Sequence, residues 1–232
     1  LSVEKRSIDI IKAGSSQNND LVCWIIARQH PGESMASWLM EGLIKKLILE
    51  KNTLAKRLLD SATFYLVPNM NPDGSFRGHL RTNSAGVNLN REWKKPSLER
   101  SPEVFYVRQQ MEKTGVDFCL DVHGDEAIPY NFIAGPEGVP SFSKKQAKLL
   151  EEFKQALLHA NSDFQLELHD SISFYQNDLH AVTRILLLEL FVHLNLKHSI
   201  FPRCNHAFPE SEVQERLYLF HPVSYLEVLF FL

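Results

Sequence analysis

Residues 21–33 read Leu-Val-Cys-Trp-Ile-Ile-Ala-Arg-Gln-His-Pro-Gly-Glu, and this stretch decides the fold. Its first seven residues are almost continuously apolar, which predicts a strand buried on both faces of a sheet. Beyond the Pro-Gly pair, apolar residues recur at the three- and four-residue spacing of a helix. This stripe consists of Met35, Trp38, Leu39, Leu43, Leu47 and Ile48. The sequence therefore predicts a buried strand, a tight turn and an amphipathic helix.

Strand-like and helix-like runs keep alternating over the first two-thirds of the chain. Further strands are predicted at residues 7–12, 62–68 and 117–123, and further helices at 104–111 and 144–159. Such alternation is typical of an α/β fold with a largely parallel sheet. We expect a three-layer α/β/α sandwich with a mixed, mainly parallel sheet.

Composition excludes several classes of protein. With 232 residues, 44% of them hydrophobic, the chain is long enough for one sizeable core, and a net charge of −3 argues against nucleic-acid binding. The longest apolar run, residues 185–192, is too short for a membrane span and contains Glu189. Cys23, Cys119 and Cys204 are dispersed, so we expect no disulfide framework and a cytoplasmic location.

The last part of the chain differs in composition from the rest. All ten glycines lie at or before Gly138, and residues 166–232 contain 14 leucines but a single lysine. We therefore expect a catalytic core over residues 1–165. Residues 166–232 are expected to be an atypical C-terminal part of the same domain, either divergent or read out of frame.

Potential metal ligands follow two of the predicted strands. His30 and Glu33 lie in the turn after the first strand, and His123 ends the strand at 117–123. Two histidines and a glutamate make the three-ligand set of a catalytic zinc site, which leaves a fourth position open. Taken singly, His30-x-x-Glu33 also suits a surface turn, and His123 suits a buried core histidine.

A long polar segment separates these ligands. Residues 68–93 contain the turn sequence Asn71-Pro72-Asp73-Gly74 and are far too long for a simple connection, so they are expected to be functional. The segment carries polar side chains suited to binding a carboxylate. These are Arg77, Arg81, Asn88, Asn90 and Arg91.

Four ordered motifs together resemble the zinc metallocarboxypeptidases, and most closely their cytosolic carboxypeptidase branch. The motifs are His30-Pro-Gly-Glu33, Asn71-Pro-Asp-Gly74, Asn88-Leu-Asn-Arg91 and Asp121-Val-His-Gly124, and the resemblance runs from about residue 3 to about residue 160.

The resemblance implies one Zn²⁺ per chain, held by His30, Glu33 and His123. It implies that Asn90 and Arg91 bind the C-terminal carboxylate of the substrate. It also implies that Arg81, rather than Arg77, polarises the scissile carbonyl. Asp121 is either a partner that orients a metal ligand or an ordinary acidic residue of its strand.

Two departures from the family pattern stand out. The cytosolic branch normally has a β-rich domain ahead of the catalytic one, and this chain begins almost at the first catalytic strand. The family also places its general base in a Thr-Leu-Glu-Met-Pro-Phe-like strand, and no such run occurs here. Glu189 is the preferred substitute and Glu227 the second, while the alternative is that neither acts as the base.

The function predicted from sequence is zinc-dependent hydrolysis of the C-terminal peptide bond of peptides or proteins. Alternatives are a zinc amidohydrolase that deacylates N-acyl amino acids, and a catalytically impaired zinc- or peptide-binding module. The expected partners are peptide or protein C-termini, with neither nucleic acid nor membrane involved.

Overall fold

The computed structural model describes residues 1–14, 21–50, 53–124, 131–135, 142–161, 164–166 and, for the backbone only, 226–229. Six strands are β1 (Ile11–Ala13), β2 (Leu21–Ala27), β3 (Ala62–Val67), β4 (Phe118–Gly124), β5 (Phe132–Ala134) and β6 (Leu226–Leu229). Five α-helices of the described part are α1 (Met35–Ile44), α2 (Thr53–Ser61), α3 (Pro72–Arg77), α4 (Pro102–Thr114) and α5 (Lys144–Ala160).

The strands form one mixed sheet in the order β1-β3-β2-β4-β6-β5. β2 runs parallel to both β3 and β4, while β1 is antiparallel to β3, and β6 is antiparallel to β4 and parallel to β5. Ala27 is paired with Val122, so the carboxyl ends of β2 and β4 lie side by side. The two histidine-bearing segments therefore leave the sheet at the same edge.

Apolar layers cover both faces of this sheet, which confirms the three-layer prediction. Cys23 and Ile25 belong to one cluster, which includes buried residues of α1, α2 and α5. Trp24 and Ile26 belong to a second cluster, which includes residues of α4. Successive side chains of a strand point to opposite faces, so a strand covered on both sides must be apolar throughout.

Some local predictions differ from the structure. Trp38 is 66% exposed and Ile48 is 38% exposed, so neither widens the buried stripe of α1. Leu43 and Leu47 are buried as predicted, and Ala36 and Met40, which lie outside the predicted stripe, are buried with them. Leu39 of the predicted stripe is partly buried against the same core, and the backbone changes to a π-helical turn over Lys45–Leu49.

The first strand is shorter than predicted, and the helices α2 and α3 were not predicted. β1 begins only at Ile11, so residues 7–10 of the expected strand at 7–12 lie outside it. α2 is a short amphipathic helix that buries Ala55 and Leu58, and α3 continues from the turn sequence at residues 71–74. Cys23 and Cys119 are buried and unpaired, as expected. Cys204 and nearly all of residues 166–232 lie outside the described residues, so the boundary at 165 stays a prediction.

Within the described ranges, no helix combines the length and the apolar character needed to cross a membrane.

Candidate active site

The turn after β2 is shaped by close contact with the polar segment at 68–93. The backbone N–H of Gly32 donates to the carbonyl of Leu80 at 2.8 Å. A Cβ atom at Gly32 would lie 2.6 Å from Leu80 Cδ1 and 2.9 Å from the Leu80 carbonyl oxygen. Only glycine leaves room for this approach, which explains why Pro31-Gly32 separates the two potential ligands.

His30, Glu33 and His123 converge on one point at the carboxyl edge of the sheet. The Nδ1 atom of His30 lies 2.7 Å from Glu33 Oε1, and that of His123 lies 2.8 Å from Glu33 Oε2. One ligand atom from each residue lies within 4.8 Å of the others. Two imidazole nitrogens and a carboxylate are a donor set that suits Zn²⁺, so these residues fit the expected metal.

Hydrogen bonds on the far side of each imidazole set its orientation. His30 Nε2 donates to Asn88 Oδ1 at 3.0 Å, and His123 Nε2 donates to Asp121 Oδ2 at 2.8 Å. An imidazole that donates through Nε2 keeps the Nδ1 lone pair for a metal. Asp121 therefore holds the His123 ring in place, which favours the first of the two roles that its sequence position allowed.

The charges in this cluster are strongly coupled. Burial alone would raise the pKa of Glu33, but hydrogen bonds from His123 and His30 outweigh it and lower that pKa to about 2. Burial alone would lower the pKa of His123, but the charge and hydrogen bond of Asp121, together with Glu33, raise that pKa to about 10. The carboxylates of Asp121 and Glu33 therefore favour a positive charge at His123, which either a proton on Nδ1 or a bound metal ion supplies.

The turn Asn71-Pro72-Asp73-Gly74 holds the polar segment against the ligand-bearing turn. Asn71 caps α3 by accepting a hydrogen bond from Gly74 N, and its amide donates to the Gln29 carbonyl at 3.0 Å. A Cβ atom at Gly74 would lie 2.5 Å from both Pro31 Cγ and the Thr82 carbonyl oxygen. The two turns therefore pack directly on each other.

The two arginines of this segment have different surroundings. Arg81 Nη1 lies 3.9 Å from Glu33 Oε1, with 42% of its side chain exposed. Arg77 instead pairs with Glu4 through both Nε and Nη2. Because Arg77 is held at Glu4 while Arg81 borders the cluster, the geometry supports the preference for Arg81.

Asn90 and Arg91 lie beside the cluster in a short 3₁₀ turn, Leu89–Arg91. The Asn90 backbone N–H donates to Asn88 Oδ1 at 3.0 Å, the same oxygen that accepts from His30. Arg91 is exposed and Asn90 is half-buried. The turn therefore brings both residues close to the partner of His30 and leaves them in contact with solvent.

Of the two glutamates considered as general base, the structure describes the backbone of one. Glu189 lies outside the described residues. Glu227 lies in β6, where its Cα is the register partner of His123 and Leu226 is paired with Gly124.

Two further residues touch this site that the sequence did not single out. Gln29 is fully buried and contacts Asp121, and Trp93 donates to Gln29. A lone glutamine at a strand end and a tryptophan after a polar loop carry no distinctive spacing. Only their positions next to His30 and close to Arg91 in the sequence could have drawn attention to them.

Fold and site together define the class: an α/β protein with a buried His-Glu-His cluster of metal-ligand type at the carboxyl edge of its sheet. The sequence pattern of one family, described as zinc carboxypeptidase, matches residues 1–171. The chain belongs to the zinc carboxypeptidase family, as the four motifs indicate.

Similar proteins include an uncharacterized bacterial protein and a cytosolic carboxypeptidase. An uncharacterized protein of Zymomonas mobilis is 52% identical over 164 residues, covering 71% of this chain and 42% of its own length. Cytosolic carboxypeptidase 6 of Mus musculus is 30% identical over 145 residues, covering 58% of this chain and 27% of its own length.

A solved structure also matches closely. It is a metallo-carboxypeptidase from Pseudomonas aeruginosa in complex with (2-guanidinoethylmercapto)succinic acid, 49% identical with a TM-score of 0.69. The match covers 72% of this chain and 44% of the Pseudomonas chain. The chain thus spans less than half the length of each of these relatives.

Proposed function

We propose that this chain is a zinc-dependent carboxypeptidase that hydrolyses the C-terminal peptide bond of peptides or proteins. The observation that carries the proposal is the convergence of one donor atom each from His30, Glu33 and His123 within 4.8 Å. These residues would hold one Zn²⁺. Dispersed cysteines and cytosolic relatives support a cytoplasmic location.

When bound, the zinc ion would polarise the scissile carbonyl and lower the pKa of a water molecule to about 7. Arg81 borders the cluster through Glu33, and its guanidinium would stabilise the negative charge that develops on the carbonyl oxygen. A fixed cation at this position stabilises the transition state more than the substrate, which raises kcat.

Asn90 and Arg91 would bind the free carboxylate of the substrate. The guanidinium offers a planar fork of donors to a carboxylate, and the amide adds another donor. Because both residues follow Asn88, which contacts His30, they would bind the carboxylate next to the metal cluster. This arrangement selects for hydrolysis of the last peptide bond.

Proton transfer to the leaving amine requires a further carboxylate. The register of β6 favours Glu227, because its Cα is directly paired with that of His123. Paired residues in neighbouring strands have Cα atoms about 4.5–5.5 Å apart. Glu189, preferred from the sequence, stays a prediction. Comparing Glu227→Gln with Glu189→Gln identifies the base, since only the true base loses about 10²–10⁴-fold in kcat.

A zinc-binding module with impaired turnover is the second candidate function. It is favoured by the absence of a Thr-Leu-Glu-Met-Pro-Phe-like run and by the atypical residues 166–232, most of which lie beyond the family match at 1–171. Such a module would bind zinc and C-terminal carboxylates without releasing amino acids.

Release of C-terminal amino acids from a mixed peptide library tests the proposal directly. We expect release with zinc, none after chelation, and none from the same peptides with amidated C-termini. N-acyl amino acids are the parallel substrate, and their hydrolysis without peptide cleavage would point to the amidohydrolase alternative. Zinc binding with no hydrolysis of either substrate would instead point to the impaired module.

Inhibition provides a second test of the carboxylate site. The succinic acid derivative in the Pseudomonas complex offers two carboxylates and a guanidinium. We expect it to compete with peptide substrates here, and to bind more weakly to an Arg91→Met variant.

A further inference from the structure

A network of buried hydrogen bonds connects His123 to Asp121, Gln29 and Trp93. The Nε2 atom of His123 donates to Asp121 Oδ2 at 2.8 Å, and the same oxygen accepts a hydrogen bond from Gln29 Nε2. Gln29 Oε1 in turn accepts from the indole Nε1 of Trp93 at 2.8 Å. Gln29, Asp121 and His123 are fully buried.

The donors and acceptors at its two ends fix the direction of every hydrogen bond in this network. The Trp93 indole can only donate, so the Gln29 atom that faces it must be the carbonyl oxygen. The Gln29 amide nitrogen then faces Asp121, whose ionised carboxylate can only accept. Asp121 Oδ2 therefore also accepts the hydrogen bond from His123 Nε2, and Nδ1 is the ring nitrogen that faces the cluster.

Gln29 is the residue that fixes the Asp121 carboxylate in this orientation. Asp121 Oδ1 is buried and has no hydrogen-bond partner within the described part of the chain. Gln29 and His123 both bond to the other oxygen, Oδ2. Without the Gln29 amide, His123 Nε2 would be the remaining partner of the carboxylate within the described residues, and the carboxylate would hold the imidazole less firmly.

Trp93, at the other end of the network, lies in the segment that follows Arg91. Trp93 lies two residues beyond Arg91, and its backbone carbonyl accepts from Arg108 Nη1 at 2.8 Å. Arg108 belongs to α4, which packs on the sheet. Since Asn88 contacts His30, residues 88–93 reach both imidazoles of the cluster, one directly and one through Gln29 and Asp121.

We propose that Trp93 and Gln29 are positioning residues for the metal ligand His123, and that they couple the metal centre to the segment that binds the substrate carboxylate. The proposal rests on the proposed zinc site. Partners behind a metal-bound histidine are worth about 10–100-fold in metal affinity. Displacing residues 88–93 then weakens the metal site as well as substrate binding.

The test is the zinc dissociation constant measured by competition with a chromogenic chelator. Gln29→Met keeps the buried volume and removes both hydrogen bonds, and we expect its dissociation constant to rise about 10–100-fold. Trp93→Phe keeps an aromatic ring and removes one N–H, and we expect a smaller rise, at least about threefold. The d–d absorption bands of the Co²⁺-substituted variants should shift from those of the unaltered protein.

Trp24→Phe is the matched control. The Trp24 indole N–H donates to Thr114 Oγ1 at 3.3 Å, away from the cluster, so its removal should leave zinc affinity unchanged. The double variant Gln29→Met/Trp93→Phe should bind zinc no more weakly than Gln29→Met alone. Gln29→Met already removes the hydrogen bonds that connect Trp93 to Asp121. A merely structural role would instead lower the free energy of unfolding in both single variants and leave zinc affinity unaltered.

The outcomes separate the positioning role from the proposed function. If the unaltered protein binds zinc and both folded variants match it within about twofold, the positioning role is overturned while the proposed function stands. If the unaltered protein binds no zinc, the proposed function and the positioning role fall together.

Discussion

The Nδ1 atoms of His30 and His123 lie 3.0 Å apart, although 93 positions separate the two residues in the sequence. Two nitrogens bound to a tetrahedral zinc at about 2.0–2.1 Å are themselves about 3.3 Å apart. The two carboxylate oxygens of Glu33 contact these nitrogens, Oε1 that of His30 and Oε2 that of His123. The pairing of β2 with β4 brings these side chains together, because parallel neighbours end at the same edge of the sheet.

Replacing Arg81 should slow catalysis without removing the metal. In Arg81→Ala we expect kcat to fall about 10²–10³-fold, as for loss of a donor to a developing oxyanion. Zinc content should not change, since Arg81 is not a ligand. Arg77→Ala is the control, because Arg77 pairs with Glu4 and should not affect kcat. Equal losses in the two variants would contradict the role given to Arg81.

Recognition of the free carboxylate should depend on Arg91. We expect Arg91→Met to reduce kcat/KM for peptides with a free C-terminus about 10–100-fold, the effect of one charge-assisted hydrogen bond. Arg100→Met removes an exposed arginine from the neighbouring turn and is expected to have no effect. Steady-state kinetics on one peptide distinguishes the variants, and an unchanged kcat/KM in Arg91→Met would refute this assignment.

Asp73 should contribute to stability as a buried acceptor. It accepts hydrogen bonds from Ser2 Oγ, Glu4 N, Arg6 Nη1 and Ser84 Oγ. We expect Asp73→Asn to lower the free energy of unfolding by about 2 kcal/mol at pH 7, measured by urea denaturation. Asp9→Asn changes an exposed carboxylate of the same N-terminal segment and should have little effect.

The effect of Asp73→Asn should also depend on pH. Burial raises the pKa of Asp73, but its hydrogen bonds outweigh burial, so the folded-state pKa is lowered. The stabilisation is therefore present above the unfolded-state pKa of about 3.9 and is lost as the pH falls through the folded-state value. The difference between the two proteins should begin to shrink as the pH falls below about 4 and should vanish below the folded-state pKa, and a constant difference across this range would contradict the prediction.

Two glycines should respond to alanine in opposite directions. A Cβ atom at Gly74 meets Pro31 and the Thr82 carbonyl, so Gly74→Ala should lower the free energy of unfolding by about 1–3 kcal/mol and weaken zinc binding. Gly42 lies in α1, and a methyl group added there would meet no heavy atom of the described residues within 4 Å beyond its own helix backbone. Gly42→Ala should therefore stabilise the protein by about 0.5–1 kcal/mol. Thermal denaturation measures both, and a stable Gly74→Ala protein with normal zinc affinity would argue against the contact between the two turns.

The sheet and the cluster were predictable because their signals are local. The continuous apolar run at Leu21–Ala27 requires cover on both faces, and the structure has it. His30, Glu33 and His123 each lie at or just after a predicted strand end. Parallel pairing alone then brings the three residues together.

Other features depend on contacts that no local pattern encodes. Trp38 fits a helical stripe, yet it is exposed because the helix buries Ala36 and Met40 instead. The hydrogen-bond network from Trp93 to Asp121 joins three separate parts of the chain, and no periodic sequence pattern marks its residues. Sequence patterns predict which faces are covered, whereas the partners of buried polar groups emerge only from the packed structure.

Zinc content after exhaustive dialysis tests the central claim most directly. We predict one zinc per chain in the unaltered protein and none in His30→Ala or His123→Ala. His79→Ala, which changes a histidine on the neighbouring loop, should retain one zinc, since the His79 ring faces the backbone carbonyls of Thr82 and Asn83. Stoichiometric zinc in His30→Ala and His123→Ala, or none in the unaltered protein, would contradict the proposed metal site.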